Sequence, residues 1–512
     1  MSEKGTVFGH PKGLMTLFFT EMWERFSYYG MRALLILFMP VAIAEGGMGF
    51  DDKTAGAVYG LYTMGVYLLA LPGGWLADRL FGLKKSVWYG GIIIALGHFT
   101  MGIPGILKLF SGASERVELS ALDTNSFFLG LILIVIGTGL LKPNISSIVG
   151  QLYAPGDSKR DAGFSIFYMG INIGAFAAPL LTSPVAEYDW HLGFGLAGFG
   201  MVLGLIQYKL TAKNIADVGN LEPATTPKEI QSRDKLKKGT AITVGIATLL
   251  LVLMFSGVIS IDASAVANAS GVIIAVVAFL YLGSIIVMGG LSSVDRKKVF
   301  AIGIVFVFSA VFWSGFEQAG STLNLFAQRF TDRTVFGWEI PAGMFQSVNS
   351  TFIILFAPFF GAMWIWLAKR NLEPSSPLKF FFGLFGVAAG FFVMYFAAKI
   401  AASGDLAAPT WLIFTYLLHT WGELSLSPVG LSLMTKLAPK GYQGQMMGVW
   451  FLSVSLGNLL AGLIAGEASG GDAEALQAMP DQYMTIVLTT FGAALLLLAI
   501  NKPLRKLMGD VH

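Results

Sequence analysis

The sequence predicts an all-α membrane protein of two six-helix bundles with a two-helix hairpin inserted between them. Three observations predict it. The 512 residues are 55% hydrophobic and 13% charged, against about 25% charged in soluble domains. Apolar runs long enough to cross a bilayer, roughly 20 residues each, fall along the chain as six, then two, then six. Charged residues deep inside those runs recur at corresponding places in the two sets of six.

The first set of runs is Leu14–Met39, Thr54–Ala77, Ser86–Met101, Phe127–Ser147, Phe164–Ala186 and Leu192–Leu210. A polar stretch, Thr211 to Lys238, holds Pro223, Pro227 and the basic residues Arg233, Lys235, Lys237 and Lys238, and reads as a linker. Two uncharged runs follow, Thr240–Ile261 and Gly271–Gly290. The last set is Val299–Phe326, Phe345–Ala368, Phe380–Ile400, Trp411–Met434, Gln445–Gly466 and Tyr483–Ile500, making about fourteen helices. The expected organisation is an N-terminal bundle over 1–211, a linker with hairpin over 212–298, and a C-terminal bundle over 299–512.

Basic residues set the orientation. Lys4, Lys12, Arg79, Lys84, Lys85, the linker cluster, Arg296 to Lys298, Lys369, Arg370, Lys436 and Lys502 to Lys506 flank one side. The other side carries few, among them Lys53, Lys108, Arg116, Arg329 and Arg333. Both termini and the linker are therefore expected in the cytoplasm of a cell whose inner or plasma membrane holds the chain. Met1 to Lys12 lacks the pattern of a cleaved signal, so the first helix should be retained.

Composition excludes several function classes. A net charge of +3 gives no reason to expect nucleic acid. With no cysteine there is no disulfide, thiolate catalysis or cysteine metal site. The histidines, His10, His98, His191, His419 and His512, are scattered and form no metal site. Gly289-Gly290 and Gly470-Gly471 read as bends, since no phosphate-loop Lys-Ser/Thr follows them. No nucleophile and base pair stands out, so no enzyme is expected.

The most informative stretch is Glu21 to Arg32 inside the first run. Each charge there costs about 2.5–3.5 kcal/mol at a helix centre on insertion scales. At helical spacing Glu21, Arg25, Tyr28 and Arg32 share one face, with Glu24 beside it. Glu21 and Arg25 are four apart and can pair. Such a face must look into protein or water. Outside this segment the deep charges are Lys142 in the fourth run, Glu317 in the seventh and Glu423 in the tenth, leaving the hairpin uncounted. First and seventh, fourth and tenth are equivalent in the two halves. The fourth and tenth also share a bending proline after a polar residue, Lys142-Pro143 and Ser427-Pro428. Paired interruptions point to a binding site in a two-half transporter. His419, one turn before Glu423, is either a further site residue or a packing residue.

Gly73-Gly74-Trp75-Leu76-Ala77-Asp78-Arg79-Leu80-Phe81-Gly82-Leu83-Lys84-Lys85 resembles the loop between the second and third helices of the major facilitator superfamily, where Asp78 and Arg79 would latch neighbouring helix ends. Glu21-x-x-Glu24-Arg25-Phe26-x-Tyr28-Tyr29-Gly30, Gly137 to Asn144, Phe167 to Gly174, Phe312 to Gln318, Gly422 to Pro428 and Met446 to Phe451 resemble the proton-dependent oligopeptide transporter family across the whole chain. The resemblance implies a symporter that carries di- and tripeptides inward with protons, by alternating access through a central cavity. It implies proton coupling at Glu21, Glu24, Arg25 and Glu317. It implies that Arg32 and Lys142 face the peptide carboxylate and Glu423 the amino group, with Tyr29, Tyr67, Tyr168, Asn172, Trp313, Asn349, Ser427 and Trp450 completing the lining. The helix 2 histidine of some members is missing here; Tyr59, Gly60 and Tyr62 stand in that region, which shifts coupling to the carboxylates.

The residues themselves point the same way. A short peptide is a zwitterion, and Arg32 with Lys142 offer one complementary pole and Glu423 the other. Four carboxylates, Glu21, Glu24, Glu317 and Glu423, face three cations, Arg25, Arg32 and Lys142; one proton would balance them. The expected partners are peptides, protons and membrane lipid, with no cofactor besides the coupling proton. The rival readings are a symporter of another small anionic or zwitterionic solute and a multidrug-proton antiporter. The latter would favour one acidic residue in a greasy pocket.

Overall fold

The computed structural model describes residues 6–111, 119–154, 157, 159–468, 470 and 472–509. Lys4, Arg116, Gly471 and His512 lie outside them. The described chain is almost wholly helical. The first six long segments begin with α1 (Lys12–Phe38), α2 (Asp52–Leu68) and its continuation α3 (Ala70–Leu76). They go on through α4 (Leu83–Ser111), α5 (Ala121–Gln151), α6 (Arg160–Tyr188) and α7 (Trp190–Thr211). The hairpin is α8 (Pro227–Phe255) and α9 (Ala263–Met288). The last segments are α10 (Ser293–Phe316), α11 (Thr322–Phe330), α12 (Gln346–Ala368), α13 (Ser376–Ala402), α14 (Thr410–Leu437), α15 (Gln443–Glu467) and α16 (Ala473–Ala499), followed by short α17 (Asn501–Met508). Among the described residues, 12 spans are long and apolar enough to cross a membrane. The long helices outside that set are α1, which carries the buried charges, and α14, which carries Glu423 and a row of Thr and Ser.

Three expected elements change shape. The linker is shorter than Thr211 to Lys238, because α8 begins at Pro227. Thr226 accepts from the Glu229 amide while the Glu229 carboxylate returns the bond, a capping box that with proline at the first position starts the helix early. The basic run from Arg233 to Lys238 is thus helical. The second run breaks at Leu69 and ends in a π-turn, Ala77–Phe81. The seventh run breaks at a 3₁₀ turn, Glu317–Gly320, before restarting as α11. Glu317 therefore sits at a helix break, where the chain carries Gly320 and Ser321.

Contacts divide the chain into two compact units, one of Met1–Leu34, Val41–Gly49 and Leu68–Asp262, the other of Leu35–Pro40, Phe50–Tyr67 and Ala263–His512. The hairpin is split, with α8 in the first unit and α9 in the second. No residue of α8 is buried. Helix α9 buries one stripe, Ala267, Ile274, Ala278, Leu282 and Ile285, and packs on α15 and α10.

The first unit is built on close helix pairs. A Cβ at Gly97 would meet the Gly130 carbonyl at 2.8 Å, and one at Gly90 the Gly137 carbonyl at 2.6 Å, so α4 and α5 touch backbone to backbone. In the second unit the start of α2 lies as tightly on α15. A Cβ at Gly462 would meet the Gly56 carbonyl and the Gly60 Cα at 2.5 Å, and one at Gly60 the Leu459 carbonyl at 2.8 Å. Gly56 and Gly60 face Gly462 and Gly466, two G-x-x-x-G pairs in register. This seam explains why most of α2, up to Tyr67, groups with the C-terminal helices.

Candidate functional site

In the first unit the charged stretch of α1 is held against α6. A Cβ at Gly170 would meet Phe18, and one at Gly174 would meet the Met22 carbonyl and, at 3.0 Å, the Arg25 Cβ. Here a side chain on α6 would push the charges away. Glu21, Glu24 and Arg25 are all buried, at 3%, 0% and 3% exposure. Arg25 Nε lies 3.1 Å from Glu21 Oε1 and 2.5 Å from Glu24 Oε2. Two carboxylates thus share one guanidinium in a site with almost no water contact, and the trio carries one excess negative charge. A buried charge needs a partner; Lys142 of α5 acts electrostatically on Glu21. The Arg25 guanidinium also stands 5.3 Å from the Tyr28 ring, and that of Arg32 stands 5.9 Å from the Tyr29 ring.

Lys142 is set by the proline behind it. Pro143, inside α5, has no amide hydrogen to give the Gly139 carbonyl, so the helix is weakened at this turn. Asn144 Nδ2 donates to the Leu140 carbonyl at 2.6 Å, and Gly73 of α3 packs against Gly139. Tyr168 is 45% exposed, and Asn172 below it is buried and donates to the Tyr168 carbonyl at 3.0 Å. Arg32 is buried, and Tyr29 and Lys142 are half-buried. Asp78 and Arg79 are exposed on the π-turn, with Arg79 over the Trp75 ring at 5.4 Å. The residue of this loop that docks on a helix end is Lys84, whose Nζ donates to the Ala216 carbonyl at 2.7 Å.

The second unit gathers the acidic group. Asn349 Nδ2 donates to Glu423 Oε2 at 3.3 Å and to Thr420 Oγ1 at 2.9 Å. Glu423 and Glu317 act on one another electrostatically, so the turn after α10, with α12 and α14, brings these three residues together. Trp313 and Trp450 are buried at 8% and 2% exposure. Trp450 packs on Gly430 and Phe380, and Trp313 on Gly457. Ser427 and Tyr67 are half-buried. His419 is a packing residue: it is 1% exposed, its Nε2 lies 3.3 Å from the Val387 carbonyl, and its ring stands 5.4 Å from Phe391.

Two relationships escaped the sequence reading. Ser27 Oγ and His98 Nε2 are 2.6 Å apart and buried, tying α1 to α4. Arg329 donates to both carboxylate oxygens of Asp52, each at 2.7 Å. Arg329 and Asp52 stand 277 positions apart, so only a fold brings them together.

A family profile described as PTR2, POT family, matches residues 84–479. The chain belongs to the POT family. Peptide transporter YePEPT of Yersinia enterocolitica is 43% identical over 518 residues, 99% of this chain and 97% of its own. A di-/tripeptide transporter of Lactococcus lactis subsp. lactis is 34% identical over 517 residues, 99% of this chain and 98% of its own. Among solved structures, peptide transporter POT in complex with sulfate matches with a TM-score of 0.85 and 39% identity over 99% of this chain and 97% of that one. A POT family transporter in complex with 5-aminolevulinic acid matches with a TM-score of 0.84 and 32% identity, covering 98% of each. The expected fold class holds: an all-α membrane protein of the major facilitator type. The protein is an integral membrane transporter, and its family is not an enzyme class.

Proposed function

We propose that this protein imports di- and tripeptides together with protons by alternating access, with both termini in the cytoplasm. The observation that carries the reading is the division of charge. The first unit holds Arg25, Arg32 and Lys142 around the α1 stretch, and the second holds Glu317 and Glu423 with Asn349. The peptide carboxylate is taken by Arg32 and Lys142, and the ammonium by Glu423 oriented by Asn349. These contacts involve only the peptide's ends, so side chains can vary. Trp313, Trp450 and the tyrosines supply walls that are apolar in body and polar at the edge.

Protons couple through the Glu21, Glu24 and Arg25 trio and through Glu317. One proton neutralises the trio's excess charge. A peptide carboxylate that draws on the neighbouring cations changes how well the trio holds that proton, and the two fluxes become linked. Peptides, protons and surrounding lipid are the partners, and the coupling proton is the only cofactor the reading uses. The named relatives that are peptide transporters support this substrate class.

Competition separates this reading from its rivals. Uptake of a labelled dipeptide into proteoliposomes should be blocked by unlabelled di- and tripeptides and left alone by free amino acids and cationic dyes. Block by the dyes would instead point to a drug antiporter.

A further inference from the structure

A second cavity, of about 210 Å³, lies within the second unit between α10, the end of α15 and α16. It contains none of the residues assigned above. Its lining is unusual in what it offers. The hydroxyls of Ser314, Thr485, Thr489 and Thr490 donate to the carbonyls of Val311, Asp481, Thr485 and Ile486 at 2.7–2.9 Å. With their protons given to the helix backbone, what these hydroxyls have left to offer is acceptor capacity. Gln482 Nε2 donates to the Glu467 carbonyl at 2.9 Å. A carbonyl can only accept, so this bond fixes the amide's orientation. Gln482 Oε1 is then buried in the lining with no hydrogen-bond partner among the described residues. Leaving such an acceptor unpaired is costly to the fold.

Glu467 also lines a larger cavity, of about 520 Å³, with Asp51, Asp52, Lys53, Arg329 and Asp472. The smaller cavity therefore opens beside an acidic one. At roughly 30 Å³ per water in the liquid, it has room for a partly hydrated ion.

We propose that the cavity between Gln482, Glu467 and the Ser314 and Thr485 to Thr490 hydroxyls is a binding site for a compact monovalent cation. Gln482 Oε1 and the hydroxyl oxygens are its ligands, and Glu467 supplies the compensating charge. The cation is either a free alkali or ammonium ion or the ammonium of a lipid head group. This site is separate from the peptide and proton residues, and it stands or falls without them.

The test is thermal unfolding of the purified chain in detergent at constant ionic strength, with chloride salts of potassium, sodium, ammonium or the bulky N-methylglucamine. A free ion raises the midpoint by roughly 3–5 °C over N-methylglucamine at saturation. A lipid ammonium gives no difference between salts, but a similar rise in nanodiscs of phosphatidylethanolamine over phosphatidylcholine. Gln482→Leu should abolish the response and Gln482→Glu should enlarge it, although both lose the bond to the Glu467 carbonyl. That pair of variants separates a cation site from a packing role. Equal responses in wild type and both variants, or no response to any cation or lipid, would overturn the proposal.

Discussion

Arg329 grips Asp52 through two hydrogen bonds of 2.7 Å, and the pair stands beside the glycine seam of α2 and α15. Asp52 comes from the first six segments of the sequence and Arg329 from the last six. Under the alternating access proposed above, a contact that joins the sequence halves must break in each cycle, which would make this pair a latch. Reversing one charge, Asp52→Arg, should cut peptide uptake about tenfold, since a two-toothed pair is worth about 1 kcal/mol and juxtaposed like charges cost more. The double reversal Asp52→Arg with Arg329→Asp should recover most of it. Failure of the double variant to exceed either single one would remove the pair from the mechanism.

The seam itself makes a second prediction. A leucine at Gly462 would drive its Cβ into the Gly56 and Gly60 backbone, with three atoms at 2.5 Å. Overpacking of this kind costs about 1–3 kcal/mol, so Gly462→Leu should lower the unfolding midpoint. Gly245 on exposed α8 has nothing within 4 Å of a would-be Cβ. Gly245→Ala should leave the midpoint unchanged or raise it slightly. Equal effects of the two substitutions would show that the close approach carries no energy.

The α1 trio predicts a split between two kinds of transport. Glu21→Gln and Glu24→Gln should each abolish uptake driven by a proton gradient and spare exchange of labelled for unlabelled peptide, because exchange moves no net proton. Arg25→Ala leaves two carboxylates buried without their guanidinium, a loss of about 3–5 kcal/mol, and should fail to yield folded protein. Gradient-driven uptake that persists in both glutamine variants would take the trio out of coupling.

Asn349 holds Glu423 by one hydrogen bond of 3.3 Å. Asn349→Ala should raise the half-saturating peptide concentration about ten- to a hundredfold, the loss of about 1.5–3 kcal/mol expected when a bond to a charged group is removed. Acetylating the peptide's amino terminus should weaken binding to the wild type, and weaken binding to the Glu423→Gln variant far less. If acetylation harms both equally, Glu423 does not meet the ammonium.

Much of the fold was legible because membrane helices declare themselves by length and apolarity. The run from Phe380 to Ile400 needed only extension at its ends to become α13. The charged positions were legible for the converse reason: Glu21, Arg25, Lys142, Glu317 and Glu423 stand out only against an apolar background. What escaped depends on pairing between distant segments. Gly56 and Gly462 are ordinary residues in a chain with 62 glycines, and only their juxtaposition makes a seam. The break at Glu317 was missed because Phe312 to Phe316 before it and Leu323 to Phe326 after it keep the run long and apolar on average, and averaged hydropathy does not see a 3₁₀ turn. His419 is four residues from Glu423, yet it packs between Phe391 and Phe316, which spacing alone did not reveal.

The most direct measurement is uptake of a labelled dialanine peptide into proteoliposomes under an inward proton gradient, with and without a proton carrier. The account predicts accumulation above the outside concentration that collapses when the carrier is added. Accumulation that is indifferent to the carrier, or no uptake by folded and correctly oriented protein, would contradict it.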